Sequence, residues 1–194
     1  MEGAPEEFGS AYRLLGGVVV PRPIAWVGSY DAEGRANLAP YSFFNVVSPD
    51  PPVVYFAPGG TGEHRKDSAN NAIESETFTV HVVTRDFAEA MNATSATLAP
   101  GEDEFEHAHL ERVDATRVDA PRIADVPVVL ECELYDTQEI GRQTLVFGEV
   151  VHAHVDDDLL TDGKPDVRKL DAVGRLAGSY YSTTEDRFRL ERPD

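Results

Sequence analysis

Apolar residues along this chain fall in short continuous or alternating runs punctuated by proline, glycine and aspartate, a pattern of many strands rather than long helices. Five runs read as strands, at residues 24–30, 53–57, 77–83, 126–135 and 144–155. A shorter run covers residues 36–39, and the turn-forming DAEGR at 31–35 joins it to the first as a hairpin. Pro49, Pro51 and Pro52 forbid a regular ladder in their own segment and deliver the chain stiffly into Val53. Two short helices are predicted. Asp67 or Ser68 caps one that runs through Ala72 and Ile73 and ends near Glu76, and Thr84 caps another that groups Phe87, Ala90, Met91 and Thr94. Residues 100–125 are acidic, proline-punctuated and weakly periodic, and read as a long surface excursion with one helical turn near 104–108. After Asp158 come a turn, a short helix and a glycine-containing loop presenting Tyr180 and Tyr181. The expected fold is mainly β, with many short strands closing into a full or partly open barrel.

Composition narrows the class. At 194 residues and 41% hydrophobic content the chain suits one domain over 1–194, large enough to bury a core without metals or disulfides. Its single cysteine, Cys132, shares a strand face with Val128, Leu130 and Leu134 and reads as buried and structural. The opening MEGAPEEFGS is acidic where a secretory leader is basic and then apolar. No apolar run approaches the roughly 18 residues that span a bilayer. A cytoplasmic location follows as the expectation.

Charge changes the list of partners. Asp and Glu number 35 against 17 Lys and Arg, for a formal charge of −18, and the lysines are only Lys66, Lys164 and Lys169. Nucleic acid and anionic membranes are therefore not expected, because both demand a positive surface. An acidic, lysine-poor chain also suits high salt, where molar ions shorten the Debye length to about 3 Å and quench self-repulsion.

Against that background one basic segment stands out. Arg65, Lys66 and Ser68 lie at the start of a predicted helix, where cations, a hydroxyl and free amides can hold a phosphate. A solvated charged turn is the alternative. Gly59, Gly60 and Gly62 lack the lysine-serine or lysine-threonine ending of a nucleoside triphosphate loop and read as a flexible connection. Upstream, Ala39, Pro40, Tyr41, Ser42, Phe43, Phe44 and Asn45 mix apolar walls with hydrogen-bonding groups suited to a flat heteroaromatic ring, and Ser42 and Ser48 add hydroxyls beside a proline-rich turn. A phosphorylated aromatic ligand fits both segments, and flavin mononucleotide (FMN) is one.

Other candidates carry less. His107 with His109, and His152 with His154, have the i,i+2 spacing of some metal sites but no third ligand, so no metal is expected. Glu131 and Glu133 could form a carboxylate pair, but a solvent-facing strand edge explains them more simply. No nucleophile elbow is present, and no catalytic side chain is assigned.

The segments PRPIAWVGS, NLAPYSFFNVVSPDPP, RKDS, AEAMNATSA and RLAGSYY, in that order, resemble the flavin reductase-like family of FMN-binding split-barrel proteins over roughly residues 18–181. The resemblance implies a six-stranded Greek-key split β-barrel with short peripheral helices, a homodimer, and FMN near the subunit interface. It places Pro40, Tyr41, Ser42, Asn45, Val46 and Ser48 around the flavin, Arg65, Lys66 and Ser68 at its phosphate, and Arg175 and Tyr180 near the ring or a nicotinamide. His81, Ala177 and Ser179 depart from the family pattern in the part expected to touch substrate. The expected activity is hydride transfer from NADH or NADPH to flavin N5, with a monooxygenase or another acceptor downstream. A flavin-binding electron carrier or storage protein without NAD(P)H turnover is the alternative.

Overall fold

The structure, a computed structural model, describes residues 2–99 and 102–193. Its main sheet has seven strands: β1 (Ala25–Tyr30), β2 (Ala36–Tyr41), β3 (Phe44–Pro49), β4 (Pro52–Phe56), β5 (Thr77–Val82), β6 (Val128–Ile140) and β7 (Gln143–Val155). They lie in the order β2-β1-β5-β6-β7-β4-β3, every neighbouring pair antiparallel. The two edge strands, β2 and β3, are consecutive in the chain. Only Ser42 and Phe43 separate them, so the edges approach within about 11 Å at that corner and the sheet must curl into a barrel. The Ala57 amide donates to the Phe43 carbonyl at 2.8 Å and seals the corner.

Strand β3 is a seventh strand where six were expected. Beyond Phe44 its residues are polar or exposed and end in Pro49, so the segment carries no apolar alternation; it becomes a strand because the turn at its end folds it onto β4, pairing Pro49 with Pro52. The hairpin at 31–35 forms as expected, with Asp31 accepting the Glu33 and Arg35 amides at 3.0 and 2.8 Å.

Two apolar clusters flank the central strands. Val27, Val54, Phe56, Phe78, Val80, Cys132 and Val146 form one, into which Ala69 and Ala72 of α2 (Asp67–Glu74) pack. The other holds Trp26, Leu38, Val83, Met91, Phe105, Ile123 and Val129. Strand β1 serves both, which explains its continuous apolar run. Gly148 is required by packing, since a Cβ there would sit 2.3 Å from Phe78 Cζ.

Several expectations change. Helix α1 (Ala11–Val18), capped by Ser10 Oγ on the Arg13 amide at 3.0 Å, was not foreseen; its Gly16 and Gly17 are poor helix formers, and Leu15 and Val18 remain over half exposed. The 100–125 segment is no surface excursion. Pro100 and Gly101 lie outside the described residues, but Phe105, Val118, Ala120 and Ile123 are buried, and the strands Arg112–Asp114 and Pro121–Ile123 pair with each other. The helix expected after Asp158 is replaced by a small hairpin, Leu160–Thr161 with Lys164–Pro165, followed by turns.

Glu131 is the clearest reversal. It is buried while Glu133 is exposed, and its carboxylate accepts the amides of Thr116 (2.9 Å), Arg117 (2.6 Å) and Val118 (3.3 Å). Burial pushes this carboxyl up, but the three amides, with His152 opposite, outweigh burial and hold it below the ordinary range. His81 is likewise a core residue. It is fully buried, its Nδ1 bonded to the Trp26 carbonyl at 2.8 Å and its Nε2 accepting the Ile123 amide at 3.0 Å. A ring with one donor and one acceptor satisfied is neutral, and burial accordingly pushes its pKa down to about 4. It therefore meets no substrate. Cys132 is buried as expected, and burial pushes its thiol up, away from reactivity.

Candidate functional site

The sealed corner positions the first group of candidate residues. Tyr41 ends β2, and its Oη–H donates to Ser68 Oγ at 2.9 Å, while Asn37 Nδ2 donates to the same oxygen at 2.7 Å. Ser68 is buried, so its hydroxyl faces these two side chains and not solvent. Burial pushes the Tyr41 phenol up to about 12, which keeps it a neutral donor. The bond ties the corner to the first turn of α2. There Lys66 is the N-cap residue, exposed and without a side-chain cap, and the first helical amides to find a carbonyl belong to Ala69 and Asn70, both on the Lys66 oxygen. The amides of Asp67 and Ser68 are left for another acceptor, as at any helix start. Arg65 Nε bonds Asn70 Oδ1 at 3.1 Å, which folds its side chain along the helix.

The preceding glycines do more than bend. The Gly60 amide donates to the Arg142 carbonyl at 2.9 Å, Thr144 Oγ1 to the Gly60 carbonyl at 2.9 Å, and the Gly62 amide to Glu139 Oε1 at 3.0 Å. Gly60 has φ +100°, and a Cβ there would lie 1.9 Å from the His64 carbonyl oxygen. This loop is pinned to the β6–β7 hairpin and is not the flexible connection expected. It sets where Arg65 and Lys66 emerge.

A second group surrounds a cavity of about 630 Å³ lined by Arg22, Arg175 and Tyr180 together with Tyr12 and Arg13 of α1. Arg22 Nη1 donates to the carbonyls of Gly16 (2.9 Å) and Val19 (2.7 Å), Nη2 to Leu176 (3.1 Å), and Nε to Ser42 Oγ (3.4 Å). One guanidinium thus links α1, the loop after Arg175 and the corner. Arg175 stacks 4.6 Å over the Tyr181 ring and bonds its hydroxyl and the Gly178 carbonyl. Tyr180 is 75% exposed.

The remaining candidates do not converge with these. Asn45 and Val46 lie exposed on edge strand β3, and Ser48, whose Oγ accepts the Asp50 amide at 3.1 Å, lines a smaller cleft of about 260 Å³ with Val47 and Tyr135. Pro40 is half-buried opposite Trp26. Sequence reasoning missed Arg22, Asn37, Tyr12 and Arg13. Arg22 had a signal: an arginine held between two prolines at the start of an apolar run has no reason to be there unless its charge is used.

A basic helix start, a corner of aromatic and hydroxylated residues and a barrel closed at that corner make up the candidate site. The profile of the flavin reductase like domain matches residues 16–170. The chain belongs to this family. Among sequence relatives, the uncharacterized protein BH2278 of Halalkalibacterium halodurans is 40% identical over 192 residues, covering 94% of this chain and 90% of the relative. Among solved structures, nitrilotriacetate monooxygenase component B from Bacillus cereus superposes with a TM-score of 0.92 at 33% identity, covering 98% of both chains. The 2-nitrobenzoate 2-nitroreductase NbaA of Pseudomonas fluorescens superposes at 0.86 with 36% identity, over 94% of this chain and 90% of that one. This flavin reductase-like chain therefore has the split-barrel architecture of oxidoreductases. Among its described residues no helix is long and apolar enough to cross a membrane, and no cluster of three or more His, Cys, Asp or Glu is placed to hold a metal.

Proposed function

We propose that this chain is an NAD(P)H-dependent flavin reductase that holds FMN at the sealed corner. The observation that carries the reading is the Tyr41–Ser68 bond, which joins the hydroxyl- and aromatic-rich corner to the helix start bearing Arg65 and Lys66. The donor set fits the ligand. The phosphate finds two cations and the unpaired amides of Asp67 and Ser68, supplied by backbone rather than by the buried Ser68 hydroxyl. The ring finds Tyr41 as a wall and Ser42 as a hydroxyl partner for its edge or its ribityl chain.

Bound FMN would supply the redox chemistry itself, accepting hydride from nicotinamide C4 at its N5. The chain's own residues bind and orient. Lys66 and Arg65 neutralise the phosphate; Arg22 holds Ser42 and the Leu176 loop in one frame; Arg175 and Tyr180 line the space where a nicotinamide would approach. No side-chain nucleophile is called for. The exposed edge strand completes the picture. Val46 and Val47 are 66% and 52% exposed, and a second copy packed there would bring Asn45 and Val46 to the flavin, in keeping with a homodimer. Similarity to a monooxygenase component B supports a monooxygenase as the acceptor of reduced flavin.

Anaerobic mixing of the FMN-loaded protein with NADH or NADPH tests the reading. Rapid bleaching of the flavin absorbance is expected with at least one nucleotide. Retained FMN that neither nucleotide bleaches would make the chain a carrier, and failure to take up FMN would remove the flavin altogether.

A further inference from the structure

The 630 Å³ cavity is an electrostatic exception in this molecule. Acidic residues outnumber basic ones by 35 to 17, yet Arg13, Arg22 and Arg175 all line the cavity and no Asp or Glu does. Three arginines elsewhere are neutralised by carboxylates, Arg35 by Asp31 and Glu33, Arg112 by Asp103, and Arg168 by Asp166. None of the three cavity arginines forms a salt bridge among the described residues. Three guanidiniums lining one cavity with no carboxylate among them favour an anion there.

The three do not have the same task. Arg22 has all its nitrogens engaged, three bonds going to carbonyls and one to Ser42, so it builds the wall. Arg175, which also lines the cavity, is held in place on Tyr181. Arg13 makes no side-chain hydrogen bond among the described residues; its stem lies back over Gly9, where a Cβ would come within 3.3 Å of Arg13 Cδ. Arg13 is the uncommitted charge.

The rest of the lining suits a flat body. Tyr12 and Tyr180 are 76% and 75% exposed, so the protein leaves most of their ring surface uncovered, and Gly16, Ala177 and Gly178 take up little room. The volume lies within the range of about 300–1,000 Å³ typical of small-molecule sites. We infer that the cavity binds a planar organic anion, with Arg13 and Arg175 taking its carboxylate or phosphate and Tyr12 and Tyr180 covering its ring. The Arg22–Ser42 contact sets one wall of this cavity against the corner, so the inference rests on the flavin reading for the ligand's place beside FMN, but not for the binding itself.

Calorimetric titration of the FMN-loaded protein at low ionic strength tests it, with sodium benzoate and neutral benzamide as the carboxylate arm and NADP+ as the phosphate arm. Benzoate or NADP+ should bind saturably, and Arg13→Ala should weaken that binding roughly tenfold to hundredfold, as expected for a lost charge-assisted contact, with partial recovery in Arg13→Lys. Benzamide binding and FMN affinity should not respond to the substitution. Alanine is the best helix former and Arg13 makes no side-chain hydrogen bond among the described residues, so the variant should fold. Sensitivity of benzoate alone assigns a carboxylate ligand, and of NADP+ alone a phosphate. If Arg13→Ala leaves the affinities of both anions unchanged, the inference is wrong. Failure of the wild-type chain to take up FMN instead sinks the flavin reading, and the benzoate arm, repeated on the flavin-free protein, still reads the cavity.

Discussion

Replacing Glu131 by Gln changes one oxygen to NH2 and tests the buried carboxylate directly. In the native chain Oε1 accepts the Thr116 amide and Oε2 the amides of Arg117 and Val118. Glutamine retains a single acceptor oxygen, best placed toward Arg117 and Val118, and turns its NH2 against the Thr116 N–H. One bond is lost and two lose their charge, at about 1.5–3 kcal/mol for each hydrogen bond to a charged group and less for neutral ones. Thr116 and Arg117 are exposed, so water replaces part of the loss and the net cost should be about 2 kcal/mol. For a chain of this size that lowers Tm by about 4–8 °C. Glu131→Ala, which strands all three amides, should cost about 3–4 kcal/mol. Urea unfolding followed by the fluorescence of the single tryptophan, Trp26, reads both. The sign with pH is fixed. The folded carboxyl lies below its unfolded value, so its stabilisation is complete above the ordinary carboxylate pKa of about 4.3 and disappears as pH falls through the folded value. The gap between wild type and Gln variant should therefore close in acid, with FMN affinity unchanged throughout. A gap below about 0.5 kcal/mol at pH 7, or one that persists unchanged at low pH, would refute the reasoning.

Lys66→Ala should weaken FMN binding by roughly tenfold to hundredfold, measured by flavin fluorescence quenching; an unchanged Kd removes Lys66 from the phosphate site. Gly60→Ala meets both a positive φ and the His64 carbonyl, so the loop must move, and FMN affinity should fall by more than tenfold while the far-ultraviolet circular dichroism of the barrel is kept; retained affinity would show that the loop does not place Lys66. His81 is neutral in the fold with its pKa down at about 4, against about 6.5 unfolded, so the unfolded chain binds the extra proton and stability should drop by roughly 3 kcal/mol as pH falls across that window. His81→Asn should flatten that slope, and identical slopes would count against the assignment. If the charge of −18 reflects adaptation to salt, molar potassium chloride should raise the unfolding midpoint, and equal stability in dilute buffer would reject that origin.

How much was legible follows from what each feature depends on. Strands β1, β4, β5 and β7 appear in the sequence because their burial comes from their own side chains, and Cys132 could be placed because its neighbours at i±2 are apolar. Strand β3 and helix α1 were invisible, since one is an edge and the other a surface helix, and neither buries a periodic face within the chain. The basic helix start was legible for a compositional reason, Lys66 being rare in an acid-rich chain. Its connection to Tyr41 was not, because the two residues meet through a barrel closure and not through spacing.

The sequence by itself determined a mainly β chain, a basic helix start and membership of the flavin reductase-like family, all of which rest on local patterns and residue order. Tertiary structure decided the rest. It turned Glu131 inward because a loop far along the chain offers it three amides, and made His81 a core residue because Trp26 and Ile123 satisfy both its nitrogens. It also gathered Arg13, Arg22 and Arg175 around one cavity. In each case the partner is supplied by a distant segment, and a side chain's charge state and accessibility are set by its partners and not by its neighbours in sequence.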